Sequence, residues 1–385
     1  MDAITSLELL SSQMDLEPAE DSGCSGYGRA KVKSDNRERF TLSQAVLPDG
    51  KRINLLKTLL TSVCERNCYY CPFRSGRDFR RASFTPEEFA RLFMDLHHAG
   101  LVQGIFLSSG VVAGGVFTQD RLLATAEILR KKLDYRGYIH LKIMPGAERD
   151  QVEQAMRLAD RVSINLEAPN TERLCRLAPG KLFLEELYQP LRWVEEIRQN
   201  LPPVMGWNHR WCSSTTQFVV GGADESDWEI ISASQALYRQ VRLSRIYYSA
   251  FKPIPDTPLE NHPPTSPRRE HRLYQASFLL RDYGYRADEL PFDPSGNLPL
   301  DIDPKLAWAR IHLSETPLEI NHATKQQLLR IPGIGPTGAQ RIVEVRRKEK
   351  IKDLSLLTRL GINPSRAAPY LLIDGIRPVF QTSMF

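Results

Sequence analysis

The chain has 385 residues, of which 42% are hydrophobic and 25% charged, enough for one barrel-sized domain and a smaller module and unlike a collagenous or disordered chain. The start, MDAITSLELL, has no basic segment followed by an apolar one, and no run of about 18 apolar residues follows, so the expectation is a cytoplasmic protein without membrane contact. The formal charge of +5 is uneven: positions 321–360 hold nine Lys or Arg against three acids, a net +6, which leaves the rest near −1. Any polyanion-binding surface is therefore expected near the C-terminus.

Residues 1–44 read as a polar extension with a short first helix, and LPDGKR (47–52) as a hairpin turn centred on Asp49-Gly50. Six apolar, β-rich runs then alternate with amphipathic helical patterns: INLLKTLL (53–60), GIFLSS (104–109), YIHLKIM (138–144), RVSINLE (161–167), TTQFVVG (215–221) and RIYYSAF (245–251). Such alternation predicts βα units and a parallel sheet. Thr85-Pro86-Glu87-Glu88 combines an N-cap, a proline at the first helical position and a capping-box glutamate. The fold class is thus α/β: a partial (β/α)6 TIM-like barrel whose active face lies at the C-terminal strand ends. KPIPDTPLENHPPTSP (252–267) reads as a linker, RREHRLYQASFLLRDYGY (268–285) as a long helix, and the stretch from there to Pro317 as irregular. The expected division is 1–44 extension, 45–255 barrel, 256–316 linker with a helical extension, and 317–385 C-terminal module.

The six cysteines at 24, 64, 68, 71, 175 and 212 do not form the dense scaffold of a small secreted domain. Three of them, Cys64, Cys68 and Cys71, fall in TSVCERNCYYCP, directly after the first predicted strand. C-x3-C-x2-C lets three thiolates converge on one inorganic centre and leaves one position of a four-iron cluster open for a substrate to chelate. Zinc is the rival metal, although a structural zinc site wants four ligands; three inert thiols are the bland alternative. Lys142, Gln217 and Lys252 lie near strand ends that face the same pocket. Cys212, and less so Cys24 and Cys175, are candidates for a hydrogen-atom relay or a second cluster, against the simpler reading as small buried hydrophobes.

Cys64-x3-Cys68-x-Tyr70-Cys71 resembles the cluster motif of the radical S-adenosylmethionine (SAM) superfamily. The resemblance implies a 4Fe-4S cluster whose open iron is chelated by SAM, an external electron donor, and reductive cleavage of SAM to methionine and a 5′-deoxyadenosyl radical. Ser108-Ser109-Gly110 stands where that superfamily usually has Gly-Gly-Glu beside the methionine amine, a departure that removes the carboxylate. Asn165 and Glu167 are similar to its ribose and carboxylate contacts, while Gln217 is a candidate for SAM or substrate contact from its place near a strand end alone. Phe218-x-Val220-x-Gly222-x-x-Glu225 resembles its adenine-packing pattern, while Tyr70 would offer its backbone carbonyl to the adenine amine.

In LLRIPGIGPTGAQRIVEVRRKEK (328–350) a helix, a Pro-Gly-Ile-Gly turn and a second helix follow one another. Glycine-bordered amides and a helix N-terminus suit a phosphate. The stretch resembles the helix-hairpin-helix motif, in which Gly333, Ile334 and Gly335 would supply amides and Lys325, Arg341, Arg346, Arg347 and Lys348 surrounding charge. A degenerate second copy follows at Leu360-Gly361-Ile362 and lacks the second glycine. With the stretches quoted above, nearly the whole chain resembles a radical SAM family of DNA modification/repair proteins that carry this hairpin and associate with a uracil-DNA-glycosylase-like partner. Three alternatives remain: an RNA substrate, a protein substrate with the hairpin as a docking module, and a zinc-stabilised DNA-binding protein without enzymatic activity.

Overall fold

The computed structural model describes residues 2–12, 14, 42–46 and 50–379; Cys24 and Asp49 lie outside them. The chain divides into two compact units, one of residues 1–225 and 237–265 and one of 226–236 and 266–385.

In the first unit seven strands form one curled half-barrel sheet in sequence order: β1 (Leu42–Val46), β2 (Arg52–Leu59), β3 (Gly104–Ser108), β4 (Tyr138–Lys142), β5 (Arg161–Ser163), β6 (Ser213–Val220) and β7 (Arg245–Ala250). The strands from β2 to β7 run parallel. Before them β1 adds an antiparallel edge, with Leu42 opposite Leu56, and Gly50 in the connection takes the left-handed φ of +83° that a Cβ would disfavour. Helices cover the parallel strands, so β3 is buried along its whole length and β6 at all but its first residue. Strands enclosed on both faces read as continuous apolar runs, which is why the sequence announces them. The helix Pro86–His98 begins with the expected capping box: Glu88 N–H donates to Thr85 Oγ1 at 3.2 Å, and Thr85 N–H to Glu88 Oε2 at 2.9 Å. The short first helix spans Ala3–Ser12 and buries Leu7 and Leu10.

One departure concerns the run 161–167, where the ladder stops at Ser163 and Glu167 rejoins the sheet through a single bridge to Phe218. Glu167 has φ +65°, a conformation that no strand accepts. A second departure is the helix Pro304–His312 in the stretch expected to be irregular; Asp303 Oδ1 caps it by accepting from Leu306 N–H at 2.9 Å. The second unit also holds the helix Pro267–Asp282, a short parallel pair β8 (Leu318–Glu319) and β9 (Leu371–Leu372), and four short helices. They enclose Ile320, Leu328, Ile331, Ile342 and Leu357. Among the described residues no helix is long and apolar enough to cross a membrane.

Away from the C-terminal strand ends the barrel buries an ion pair, Arg130 to Asp160 at 3.0 Å, with the guanidinium 1% exposed. Arg130 also donates to the carbonyls of Leu158, Tyr135 and Gly137 and stacks on Trp207 at 3.8 Å. Burial pulls its pKa down to about 10 and pushes that of Asp160 up. Desolvation thus opposes both charges, and removing one partner should cost more than replacing both. Arg130→Met is expected to lower stability by about 3–5 kcal/mol, read from the urea midpoint. The double variant with Asp160→Leu should recover part of that loss but not all, because Ile139 N–H then loses Asp160 as its acceptor.

Candidate active site and hairpin

The cysteine loop leaves β2 and has no ladder of its own, so its backbone must be satisfied from outside. Arg81 does most of this, with Nη1 donating to the Ser62 and Phe73 carbonyls at 2.6 and 3.1 Å and Nη2 to the Arg74 and Arg77 carbonyls at 2.8 and 3.3 Å. The return segment is stitched to the strand end by Ser62 N–H to the Ala82 carbonyl and Phe84 N–H to the Leu60 carbonyl. On its other side the loop pairs with the turn after β3: Gly110 N–H reaches the Thr61 carbonyl at 2.7 Å and Glu65 N–H the Val111 carbonyl at 2.8 Å.

These contacts bring Cys64, Cys68 and Cys71 to the wall of one cavity at the C-terminal strand ends, about 1060 Å³ counted to its open mouth. Cys68 is buried, the other two are half-buried, and all three are free thiols. Val111 N–H points at Cys64 Sγ from 3.4 Å. Burial pushes the Cys68 thiol up against the opposing pull of Lys181, and burial with the neighbouring Cys68 pushes Cys71 up further. A metal that takes these sulfurs as thiolates must therefore displace protons. Among the described residues no group of three or more His, Cys, Asp and Glu side chains already closes on one ion.

Of the residues expected to bind a cofactor, Tyr70, Ser108, Ser109, Gly110, Asn165, Glu167 and Gln217 all line this cavity. Val220 does not line it: Gln217 and Val219 face the cavity, and strand alternation turns Phe218 and Val220 away. The spacing of that pattern has local work to do, since Glu225 accepts from the Gly221 and Ala223 amides and closes the turn after β6. Cys212 is buried outside the cavity lining, its thiol raised to about 11 by burial, and Cys175 is exposed.

Lys181 carries no sequence signal, yet its Nζ lies 3.1 Å from Glu167 Oε1 and 3.3 Å from the Tyr70 hydroxyl. Burial alone would lower the Lys181 pKa, but charge on Cys68 and Glu167 outweighs it and raises the value. Glu167 Oε2 is buried without a hydrogen-bond partner among the described residues. An orphaned carboxylate oxygen costs free energy unless a bound group supplies a donor. Three thiols, a sulfur-directed amide and this unmet acceptor fit an iron-sulfur cluster with a polar ligand beside it.

Residues 58–233 match the model of the radical SAM superfamily. The barrel is a radical SAM domain. Its superfamily implies a 4Fe-4S cluster and SAM as cofactors and radical enzyme chemistry. Residues 314–366 match the helix-hairpin-helix motif. Solved structures similar to the chain include the FeFe-hydrogenase maturase HydG from Carboxydothermus hydrogenoformans, at 16% identity over 59% of this chain and 51% of that one, TM-score 0.47. Methylornithine synthase PylB is 15% identical over 82% and 83%, TM-score 0.46, and the radical SAM methyltransferase TsrM from Kitasatospora setae 12% over 54% and 38%, TM-score 0.41. The chain spans about half the length of the two HydG structures. The curated proteins contain no match to it.

In the second unit the two hairpins are near copies, Gly333-Ile334-Gly335-Pro336 and Gly361-Ile362-Asn363-Pro364. Gly333 and Gly361 have φ of +82° and +76°, both isoleucines are buried, and both prolines start a helix. They differ at the cap. Asn363 Oδ1 accepts from Ser365 N–H at 3.0 Å, whereas Gly335 leaves the first amides of the helix Pro336–Arg346 without a side-chain cap. Part of the basic run serves the fold, since Arg341 donates to the Leu360 carbonyl, Arg346 to the Ile320 carbonyl and Lys325 to Gln340. Arg347 and Lys348 are exposed.

A Cβ added to Gly110 would stand 2.1 Å from the Val63 carbonyl oxygen and 3.2 Å from Cys64 Cβ. Gly110→Ala is therefore expected to displace the cysteine loop and cut bound iron and sulfide by more than about half after anaerobic reconstitution, although no thiol is changed. Gly180→Ala, where the same methyl meets nothing within 4 Å, should load normally.

Proposed function

We propose that the chain is a radical SAM enzyme that acts on nucleic acid, with DNA modification or repair as its role. One observation carries this reading: the radical SAM cavity and a helix-hairpin-helix motif with an uncapped helix start occur on the same chain. Uncapped amides at a helix N-terminus, in a region of net positive charge, favour a backbone phosphate and give affinity without reading sequence.

In this reading Cys64, Cys68 and Cys71 hold the cluster, and Ser108, Ser109, Gly110, Asn165, Glu167 and Gln217 hold SAM, with the Tyr70 carbonyl on its adenine. When bound, the pair supplies one-electron cleavage of the sulfonium and hence a carbon radical able to take a hydrogen atom. Lys181 holds Glu167 at the cavity wall. Apolar walls such as Phe73, Ile143 and Phe251 keep water from quenching the radical. An external donor supplies the electron in the cytoplasm, and a uracil-DNA-glycosylase-like protein is the partner that the family resemblance suggests. In the hairpin, Gly333 and Gly335 present the phosphate site, whereas the Ile334 amide, expected to join them, donates to the Ile331 carbonyl at 3.2 Å; Lys325, Arg341, Arg346, Arg347 and Lys348 are its field.

The reconstituted protein should cleave SAM to 5′-deoxyadenosine, faster with duplex DNA, and the triple variant Cys64→Ala/Cys68→Ala/Cys71→Ala should not; undiminished cleavage by that variant defeats the enzyme assignment. Gly335→Asn copies the closed second hairpin and should weaken duplex binding by about tenfold or more, the worth of a charge-assisted hydrogen bond. The salt slope should fall by about one ion. Binding that ignores both salt and this change would instead make the hairpin a protein-docking module.

Lys305 supplies a pH test. Its Nζ donates to the Ile334 carbonyl inside the turn at 2.5 Å and lies over the Tyr283 ring at 4.6 Å. Burial lowers its pKa to about 7; Asp303 opposes the shift, and Arg366 and Arg330 add to it. The amine is thus charged below that value and neutral above it, so duplex affinity should decline as pH rises from about 6 to 8. Lys305→Met should flatten the profile, and an unchanged slope would exclude Lys305 as its source.

A further inference from the structure

Lys181 follows the helix Thr171–Leu177 and precedes a π-helical stretch, Phe183–Tyr188. Three hydrogen bonds stitch this connection to the cysteine loop. Tyr69 N–H donates to the Leu177 carbonyl at 2.7 Å, Arg66 Nη1 to the Gly180 carbonyl at 2.6 Å, and Arg66 Nη2 to Glu186 Oε1 at 2.6 Å. Lys181 N–H closes the turn between them by donating to the Ala178 carbonyl at 3.0 Å. The backbone on both sides of Lys181 is thus tied to the segment that carries the three sulfurs.

The side chain brings a charge to the same wall. Lys181 is 9% exposed at its side chain and Glu167 5%, and the Lys181 Nζ lies 3.1 Å from Glu167 Oε1, 3.3 Å from the Tyr70 hydroxyl and 5.8 Å from the centre of the Tyr70 ring. Tyr70 stands between Cys68 and Cys71 in the loop, and all five residues line one cavity. Of the charged side chains that act on the Cys68 thiol, Lys181 counts most; Glu167 opposes it more weakly, and Arg66 adds less. The positive end of the ion pair is the end the sulfurs feel. A cluster gains one negative charge on reduction, and the net charge around it is a lever on its potential. In low-dielectric surroundings a nearby ammonium favours the reduced form, and a carboxylate disfavours it.

We propose that Lys181 tunes the iron-sulfur cluster, its buried ammonium raising the reduction potential and Glu167 limiting the rise. The step it eases is the transfer of one electron from a low-potential donor, which is oxidised, to the cluster, which is reduced; no bond forms or breaks. The inference rests on the cluster that the three cysteines hold and is independent of the nucleic-acid reading. The test is the midpoint potential of the cluster in anaerobically reconstituted full-length protein without SAM, so that contacts to SAM do not enter, titrated against the electron paramagnetic resonance signal of the reduced form. Lys181→Gln should make reduction less favourable by about tenfold or more, a fall of about 59 mV for one electron. Lys181→Arg, which keeps the charge, should retain most of the wild-type value. Glu167→Gln should shift the potential the opposite way, upward. Both glutamine variants break the same salt bridge, so a merely structural role predicts shifts of one sign, and that result overturns the proposal, as does a potential unchanged in both. If Lys181→Gln fails to hold the cluster, Glu167→Gln decides alone, a rise supporting the proposal and any other result overturning it. Loss of the cluster from both variants makes the pair structural and also overturns it. Wild-type protein that takes up no iron and sulfide defeats the cluster reading and this inference together, whereas a loaded wild type with unshifted variants defeats this inference alone.

Discussion

Everything at the barrel mouth depends on how a loop without regular hydrogen bonding is held still. The cysteine loop must carry three sulfurs to one wall, and a backbone left unsatisfied there would rearrange. Arg81 meets the need by collecting four carbonyls from Ser62 to Arg77 with a single guanidinium, whose fork geometry a lysine lacks. Its plane also stacks over Phe79 at 4.2 Å, so the collector is itself fixed. Gly110 completes the arrangement by letting the turn after β3 come within reach of the Val63 carbonyl. The glycine of Ser108-Ser109-Gly110 therefore has a packing reason to be there, independent of any contact with a cofactor.

The electrostatics follow from that rigidity. Three thiols, a carboxylate and several cations share one low-dielectric wall, where each charge is felt by the others far more strongly than in water. The Lys181 and Glu167 pair shows the consequence: both are buried, each offsets the other's desolvation, and one carboxylate oxygen is left for a ligand. A left-handed Glu167, φ +65°, is a strained way to deliver that oxygen. Such strain persists only where surrounding structure holds it, and here the bridge to Phe218 and the bond to Lys181 do so.

What could be read in advance tracks what repeats. Parallel strands enclosed on both faces leave apolar runs, and the cysteine spacing is local, so the barrel and its three sulfurs are legible from the residues alone. Glu167 was expected on a continuing strand because alternation carries no mark of a left-handed residue. Lys181 is reachable only through the fold: it is fourteen positions from Glu167, on no periodic segment, and its role comes from burial against Cys68. The helix Pro304–His312 did have a signal, Asp303-Pro304, but a prolyl-rich stretch around it concealed the cap. In the basic run, sequence counts charges and cannot separate Arg346, which serves a carbonyl, from Arg347 and Lys348, which face solvent.

The two hairpins show the same limit and also where it ends. Their isoleucines and prolines are equivalent, so packing alone would make them interchangeable. A single position distinguishes them, Gly335 against Asn363. Asparagine occupies the amides of its own helix, and glycine cannot. A capped helix start is stable and closed, whereas an uncapped one gives up about 1 kcal/mol of helix stability and keeps its donors for an external acceptor. The missing second glycine in the downstream copy is therefore more than sequence decay. It closes the helix start of that hairpin, although both Ile334 and Ile362 lie in the shared core, and under the proposed function it leaves the upstream turn as the one to take a phosphate.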